Sequence, residues 1–148
     1  MKRWPKFNRN GDLPPGIHKA TLRDVVEHFG KGTLQREVVA QRLKRLYTLA
    51  VETGQVGRFI VFGSFVSNKP NPEDVDIFLL MEDTFDVRNV SGEARILFDH
   101  MAAQNYEGAS IFWVRRLAAL DGEDTATEYW QLRRDGTKRG IVEVLTYD

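Results

Sequence analysis

The chain has 148 residues, with 21 Lys and Arg balanced by 21 Asp and Glu and no cysteine. That excludes disulfides, thiolate metal sites and cysteine nucleophiles, and it argues against a protein whose main task is coating nucleic acid. No stretch approaches the ~18 consecutive apolar residues of a membrane span, and no apolar signal core follows the basic start at Lys2 and Arg3. The expectation is a cytoplasmic protein with no membrane partner, folded as a single domain over 1–148.

In chain order, residues 1–20 read as an irregular arm, because the segment PKFNRNGDLPPG (5–16) is dense in Pro, Gly, Asn and Asp. Two helices are predicted over 21–54. Thr21 suits an N-cap, Leu22, Val25, Val26 and Phe29 follow at helical spacing, and Gly30 is a stop. The second helix runs over 33–52, with Leu34, Val38, Val39, Leu43, Leu46, Tyr47, Ala50 and Val51 as one apolar stripe and Gly54 closing it. Its basic residues, Arg36, Arg42, Lys44 and Arg45, are assigned to a solvated face, and nucleic-acid binding there is not expected at zero net charge.

The remainder, 58–148, reads as a sheet-bearing core. Strands are predicted over 58–62, 74–81, 109–114 and 140–145. A helix capped by Ser91 separates the second strand from the third. Another, capped by Asp124 or Thr125 and ended by Gly136, separates the third from the fourth. The pattern implies an α/β (α+β) domain with one mixed sheet of about four strands and helices packed on it.

The chemistry concentrates in the run GSFVSNKPNPEDVDIFLL (63–80). Strand side chains alternate faces, so Asp74 and Asp76 project from the same side. Two carboxylates that close repel each other, and a hard divalent cation between them removes the conflict. Mg²⁺ takes oxygen ligands and binds through one or two carboxylates plus substrate phosphates. Upstream, Gly63 and Ser64 follow a strand end, where glycine lets backbone approach an anion and serine offers a hydroxyl and an N–H. The arrangement suits gripping a triphosphate together with its metal.

The run Phe62-Gly63-Ser64, nine residues, then Asp74-Val75-Asp76-Ile77 resembles the signature of the DNA polymerase β-like nucleotidyltransferase superfamily. The chain's size is similar to that of the minimal nucleotidyltransferases, and its flanks (7–18 and 134–144) look like a bacterial branch of that fold. The resemblance implies that Gly63 and Ser64 bind nucleotide phosphates. It likewise implies that Asp74 and Asp76 are catalytic Mg²⁺ ligands, in a site able to hold two metal ions, with an NTP as substrate. It implies transfer of an NMP to a hydroxyl acceptor, and a toxin-like protein partner as in antitoxin-type members. Active members generally carry a third acid on a later strand. The matching strand here, 109–114, has none, which leaves Glu107 or Glu143 as candidates for that role and Lys69 as a candidate phosphate contact. The alternative is a catalytically inactive binding or regulatory module of the same fold. His18, His28 and His100 lack metal-ligand spacing, and Phe65 and Trp130 are read as core rather than base-stacking residues.

Overall fold

A computed structural model describes residues 2–146. It is a mixed five-stranded sheet in the order β1-β5-β2-β3-β4, with helices on it, an α+β arrangement. The strands are β1 (Ile17–Ala20), β2 (Val56–Phe62), β3 (Val75–Met81), β4 (Ala109–Arg115) and β5 (Ile141–Val144). β2 runs antiparallel to both β3 and β5, whereas β1 is parallel to β5 and β4 is parallel to β3. No helix among the described residues is long and apolar enough to cross a membrane.

The fifth strand corrects the reading of 1–20 as irregular throughout. Residues 17–20 pair in register with 141–144, and the arm before them is tied down too. Gly140 N–H donates to Leu13 C=O and Ile141 N–H to Gly16 C=O. Trp4 stacks on His28, with ring centroids 5.0 Å apart, and Leu13 is fully buried. Four residues of which only Ala20 is buried carry little periodicity, so the strand has no local signal. Pairing with β5 makes it one.

The first two helices form where their caps place them. α1 (Leu22–Phe29) starts at Thr21, whose hydroxyl accepts from Asp24 N–H while the Asp24 carboxylate accepts from Thr21 N–H. α2 (Leu34–Glu52) starts at Thr33, and its face of Val39, Ala40, Leu43, Leu46 and Ala50 is buried against the sheet. Two assignments on α2 change. Leu34 is 77% exposed, and Val38 and Val51 also lie outside the core. Arg36 is buried instead of solvated. Its position explains this, because 36, 39, 43, 46 and 50 follow one another at helical spacing on the inward stripe.

Downstream, the helix expected from Ser91 is a 3-10 segment (Gly92–Phe98) broken at Asp99, and Asp99 then caps α3 (His100–Glu107). α4 (Glu123–Glu128) is short. Tyr129–Gln131 forms a 3-10 turn, and beyond it the chain makes a hairpin-like excursion in which Arg133 N–H donates to Thr137 C=O and Arg139 N–H to Gln131 C=O. The Asp135-Gly136 pair sits at its tip, a turn where a helix through residue 132 was expected.

α1, α2 and α3 pack on the sheet face that presents Phe59, Val61, Val75, Ile77, Leu79, Val142 and Val144. The other face holds a smaller cluster, Ile60, Phe78, Leu80 and Ile141, covered by Ala119, Trp130 and their neighbours. Trp130 also packs on Phe62 at the end of β2, and Phe112 on the neighbouring β4 is 38% exposed.

The Arg36 guanidinium makes five hydrogen bonds to backbone carbonyls. Nη1 donates to Phe29 (3.0 Å) and Phe65 (2.9 Å), Nη2 to Ser67 (2.6 Å) and Lys69 (2.6 Å), and Nε to Lys69 (3.1 Å). Burial pulls its pKa below the ordinary arginine value. No carboxylate pairs with it among the described residues, so carbonyl dipoles carry the whole charge. Arg36→Met keeps the stem and deletes the donors, leaving buried acceptors unpaired. It is expected to lower unfolding stability by about 3 kcal/mol in urea melts.

Candidate functional site

β2 delivers the first half of the site. Its last residue, Phe62, is paired with Asp76 at the head of β3, so Gly63 emerges beside the Asp76 side chain. Gly63 has φ +82° and ψ −160°, and a Cβ there would overlap the Asp76 carboxylate. Only glycine meets both conditions. Ser64 opens a 3-10 turn (Ser64–Val66), and its carbonyl accepts from Ser67 N–H (3.2 Å) and Ser67 Oγ (2.7 Å). Its own hydroxyl has no hydrogen-bond partner among the described residues.

The nine residues between Ser64 and Asp74 are hung from α2. Besides the Arg36 bonds, Thr33 Oγ1 donates to Pro70 C=O (2.9 Å), Gln35 Nε2 to Pro72 C=O (3.1 Å) and Arg42 Nη1 to Glu73 C=O (3.3 Å). These donors fix the path of a Pro-rich segment that supplies few ladder bonds of its own. The distance from the Gly63 turn to the aspartates is thereby set by α2.

Asp74 lies just before β3 and is exposed, while Asp76 is half-buried within it. Burial first, and the neighbouring Asp74 charge second, push the Asp76 pKa from 3.8 to about 6, and Arg139 and a hydrogen bond from Ser110 oppose the rise. Ser110 stands opposite Asp76 on β4 and itself accepts from Gln104 Nε2 (3.1 Å). The place beside Asp76 on β4 is therefore a hydroxyl.

The two further acids are elsewhere. Glu107 ends α3 and accepts from Arg45 of α2 at 3.1 Å, in the helical layer on the opposite side of the sheet from Asp76. Glu143 shares the Asp76 face but lies on β5, with β2 between them, two strand spacings across and two residues along, about 12 Å away. It is held by Arg58 at 2.6 Å. The structure brings neither to the pair. Lys69 is exposed, and its ammonium has no hydrogen-bond or ion-pair partner among the described residues.

Neighbours absent from the sequence reading are Arg133, Arg139 and Asp12. Asp12 is 4% exposed, accepts from Arg133 and lies 3.7 Å from Arg139 Nη1. Its backbone bridges to Ser67. The arm thus couples the turn after Gly63 to the basic hairpin, and Arg139 lies near enough to act on Asp76. The local signal was available in RRDGTKR (133–139), a basic run around an Asp-Gly turn.

Residues 5–145 match a family of unknown function (DUF6932). The chain belongs to this family. The DUF6932 match runs from the arm before β1 through β5, so it takes in every residue of the candidate site. No curated protein and no solved structure matches the chain.

Chemically, two carboxylates share one end of the sheet, and the more buried one ionises only reluctantly. A glycine turn without room for a side chain adjoins it. These donors fit Mg²⁺, whose preference is for one or two carboxylates with the remaining positions left to water and phosphate oxygens. Because the folded-state pKa of Asp76 is raised, its contribution to stability is fully present below pH ~4 and is lost as pH rises through about 6. Asp76→Asn is accordingly expected to stabilise the metal-free protein by about 1–2 kcal/mol at pH 7.5, a difference that shrinks toward zero at pH 4. Denaturant melts at the two pH values measure it. Gly63→Ala, forced into both strain and overlap, is expected to lower the melting temperature and to move the Asp76 carboxylate, seen as a changed titration of its carboxyl signal in NMR.

Proposed function

We propose that this protein is a Mg²⁺-dependent nucleotidyltransferase of the polymerase β-like type, moving an NMP from an NTP to a hydroxyl acceptor. The observation that carries the reading is the fit between Gly63 and Asp76. Backbone that would contact a phosphate and a carboxylate that would hold its metal meet with no side chain between them. Asp74 and Asp76 would be the ligands, and when bound Mg²⁺ supplies charge neutralisation to the phosphate oxygens in the transition state. The chain's own part is positional. Gly63 lets the polyphosphate approach the turn, Ser64 offers a free hydroxyl to it, and the α2 donors hold the turn and the aspartates at a fixed separation. Ser110 steadies the Asp76 carboxylate through its hydrogen bond. Ionised Asp76 is the metal-binding form, so metal affinity rises with pH through about 6.

One observation favours a second reading, a nucleotide-binding or regulatory module without turnover. With Ser110 opposite Asp76, and Glu107 and Glu143 committed to Arg45 and Arg58, the acceptor hydroxyl has no carboxylate base beside the pair among the described residues. The acceptor class and a toxin-like partner rest on the family resemblance alone.

Incubation with Mg²⁺ and α-labelled NTPs, with and without cell lysate, distinguishes the two. Transfer of label to protein or RNA, lost by at least about 100-fold in Asp74→Asn and Asp76→Asn, is the expected result. A Mg²⁺-dependent rise in melting temperature with NTP and no labelled product selects the binding module.

A further inference from the structure

Beside the carboxylate pair lies a cleft of about 460 Å³ that includes none of Gly63, Ser64, Asp74 and Asp76 in its lining. Its lining combines the aromatics Phe62, Tyr129 and Trp130 with Arg133, Arg134 and Arg139, and Leu132 and Asp135 complete it. In a chain of zero net charge, residues 133–139 hold four cations against one acid. That acid, Asp135, accepts from Thr137 Oγ1 at 2.6 Å and Thr137 N–H at 2.9 Å. A larger cleft of about 530 Å³ elsewhere contains Glu52, Asp86 and Glu93 and no Lys or Arg, so the two grooves suit ligands of opposite charge.

The basic cleft is built, not merely exposed. Buried Asp12 holds Arg133 and Arg139 from behind, at the side chain's two carboxylate oxygens. Trp130 is fixed against Phe62 (4.6 Å between centroids), Phe112 (4.9 Å) and Phe78 (5.2 Å), and Tyr129 stands edge-on to it while remaining 61% exposed. The Arg134 guanidinium has no hydrogen-bond or ion-pair partner among the described residues. Guanidiniums match phosphate oxygens bidentately, and aromatic rings stack on nucleobases. A ligand that satisfies both walls carries an aromatic ring and a phosphate on one short frame.

We propose that this cleft binds a nucleotide unit, base against the Tyr129–Trp130 wall and phosphate against Arg134 and Arg139, without a divalent cation. The unit is either a free mononucleotide or the terminal nucleotide of a single-stranded RNA. The site stands whether or not the aspartate pair takes a metal, because its donors are guanidiniums and its lining carboxylate, Asp135, is already engaged by Thr137.

Fluorescence titration of the whole protein in EDTA tests this, with AMP, a six-nucleotide RNA and inorganic pyrophosphate as probes, and Trp130→Phe to assign the signal. Saturable quenching by AMP, or by the RNA alone, supports the proposal and names the source. In either case Arg134→Ala and Tyr129→Ala, both surface changes that leave the core untouched, are expected to weaken binding about tenfold, and Asp74→Asn to leave it unchanged. No quenching by AMP or RNA overturns the proposal. So does pyrophosphate competing as well as AMP, or affinity unchanged in Arg134→Ala. Because Asp74→Asn is expected to remove metal-dependent label transfer and to leave binding in this cleft unchanged, loss of one reading leaves the other standing.

Discussion

The constraint on which this structure depends is the hold of α2 on the segment 65–73. Seven carbonyls of that segment and of the end of α1 accept hydrogen bonds from Thr33, Gln35, Arg36 and Arg42. A segment with two prolines and only an isolated bridge to the arm is ordinarily the least defined part of a domain. Here a helix whose inward stripe includes a cation gives it a fixed path. Arg36 is the centre of this arrangement because its planar fork spreads donors over four residues, which an ammonium on a flexible stem does not do.

Asp76 shows what that rigidity is used against. Half-buried, next to a second carboxylate, it is held where its charge is unfavourable, with Ser110 and Arg139 as partial relief. A relaxed loop would let the two acids separate into water. The fixed turn keeps them together, so the repulsion persists as a standing demand for positive charge at one end of the sheet. Arg139 meets part of that demand from the hairpin side, itself steered by Asp12 of the arm. Three segments far apart in the chain, the arm, the glycine turn and the hairpin, therefore meet around one carboxylate.

Much of this was legible. Thr21 and Thr33 marked both helix starts, the runs 58–62, 74–81, 109–114 and 140–145 fell on strands, and the spacing from Gly63 to Asp76 located the candidate site. What escaped detection depends on partners distant in sequence. Residues 17–20 are a strand only because β5 lies alongside, and Asp12 gains its place from arginines more than a hundred residues on. Arg36 was open to a closer reading, since its phase on the helix matches Val39 and Leu43. Assigning every arginine to the solvent side hid it. The Asp-Gly turn at 135–136 was likewise written in the sequence and was passed over for a helix stop.

The strand order has one more consequence, for synthesis. β5 comes last along the chain yet sits inside the sheet, between β1 and β2. While residues 141–144 are still within the ribosome, the emerged β1 has nothing to pair with, and β2 shows a bare row of amides and carbonyls on its open side. The nascent polypeptide must keep that sticky margin from other chains until β5 slots in, so vulnerability to misassembly lasts from the emergence of β2 to that of β5.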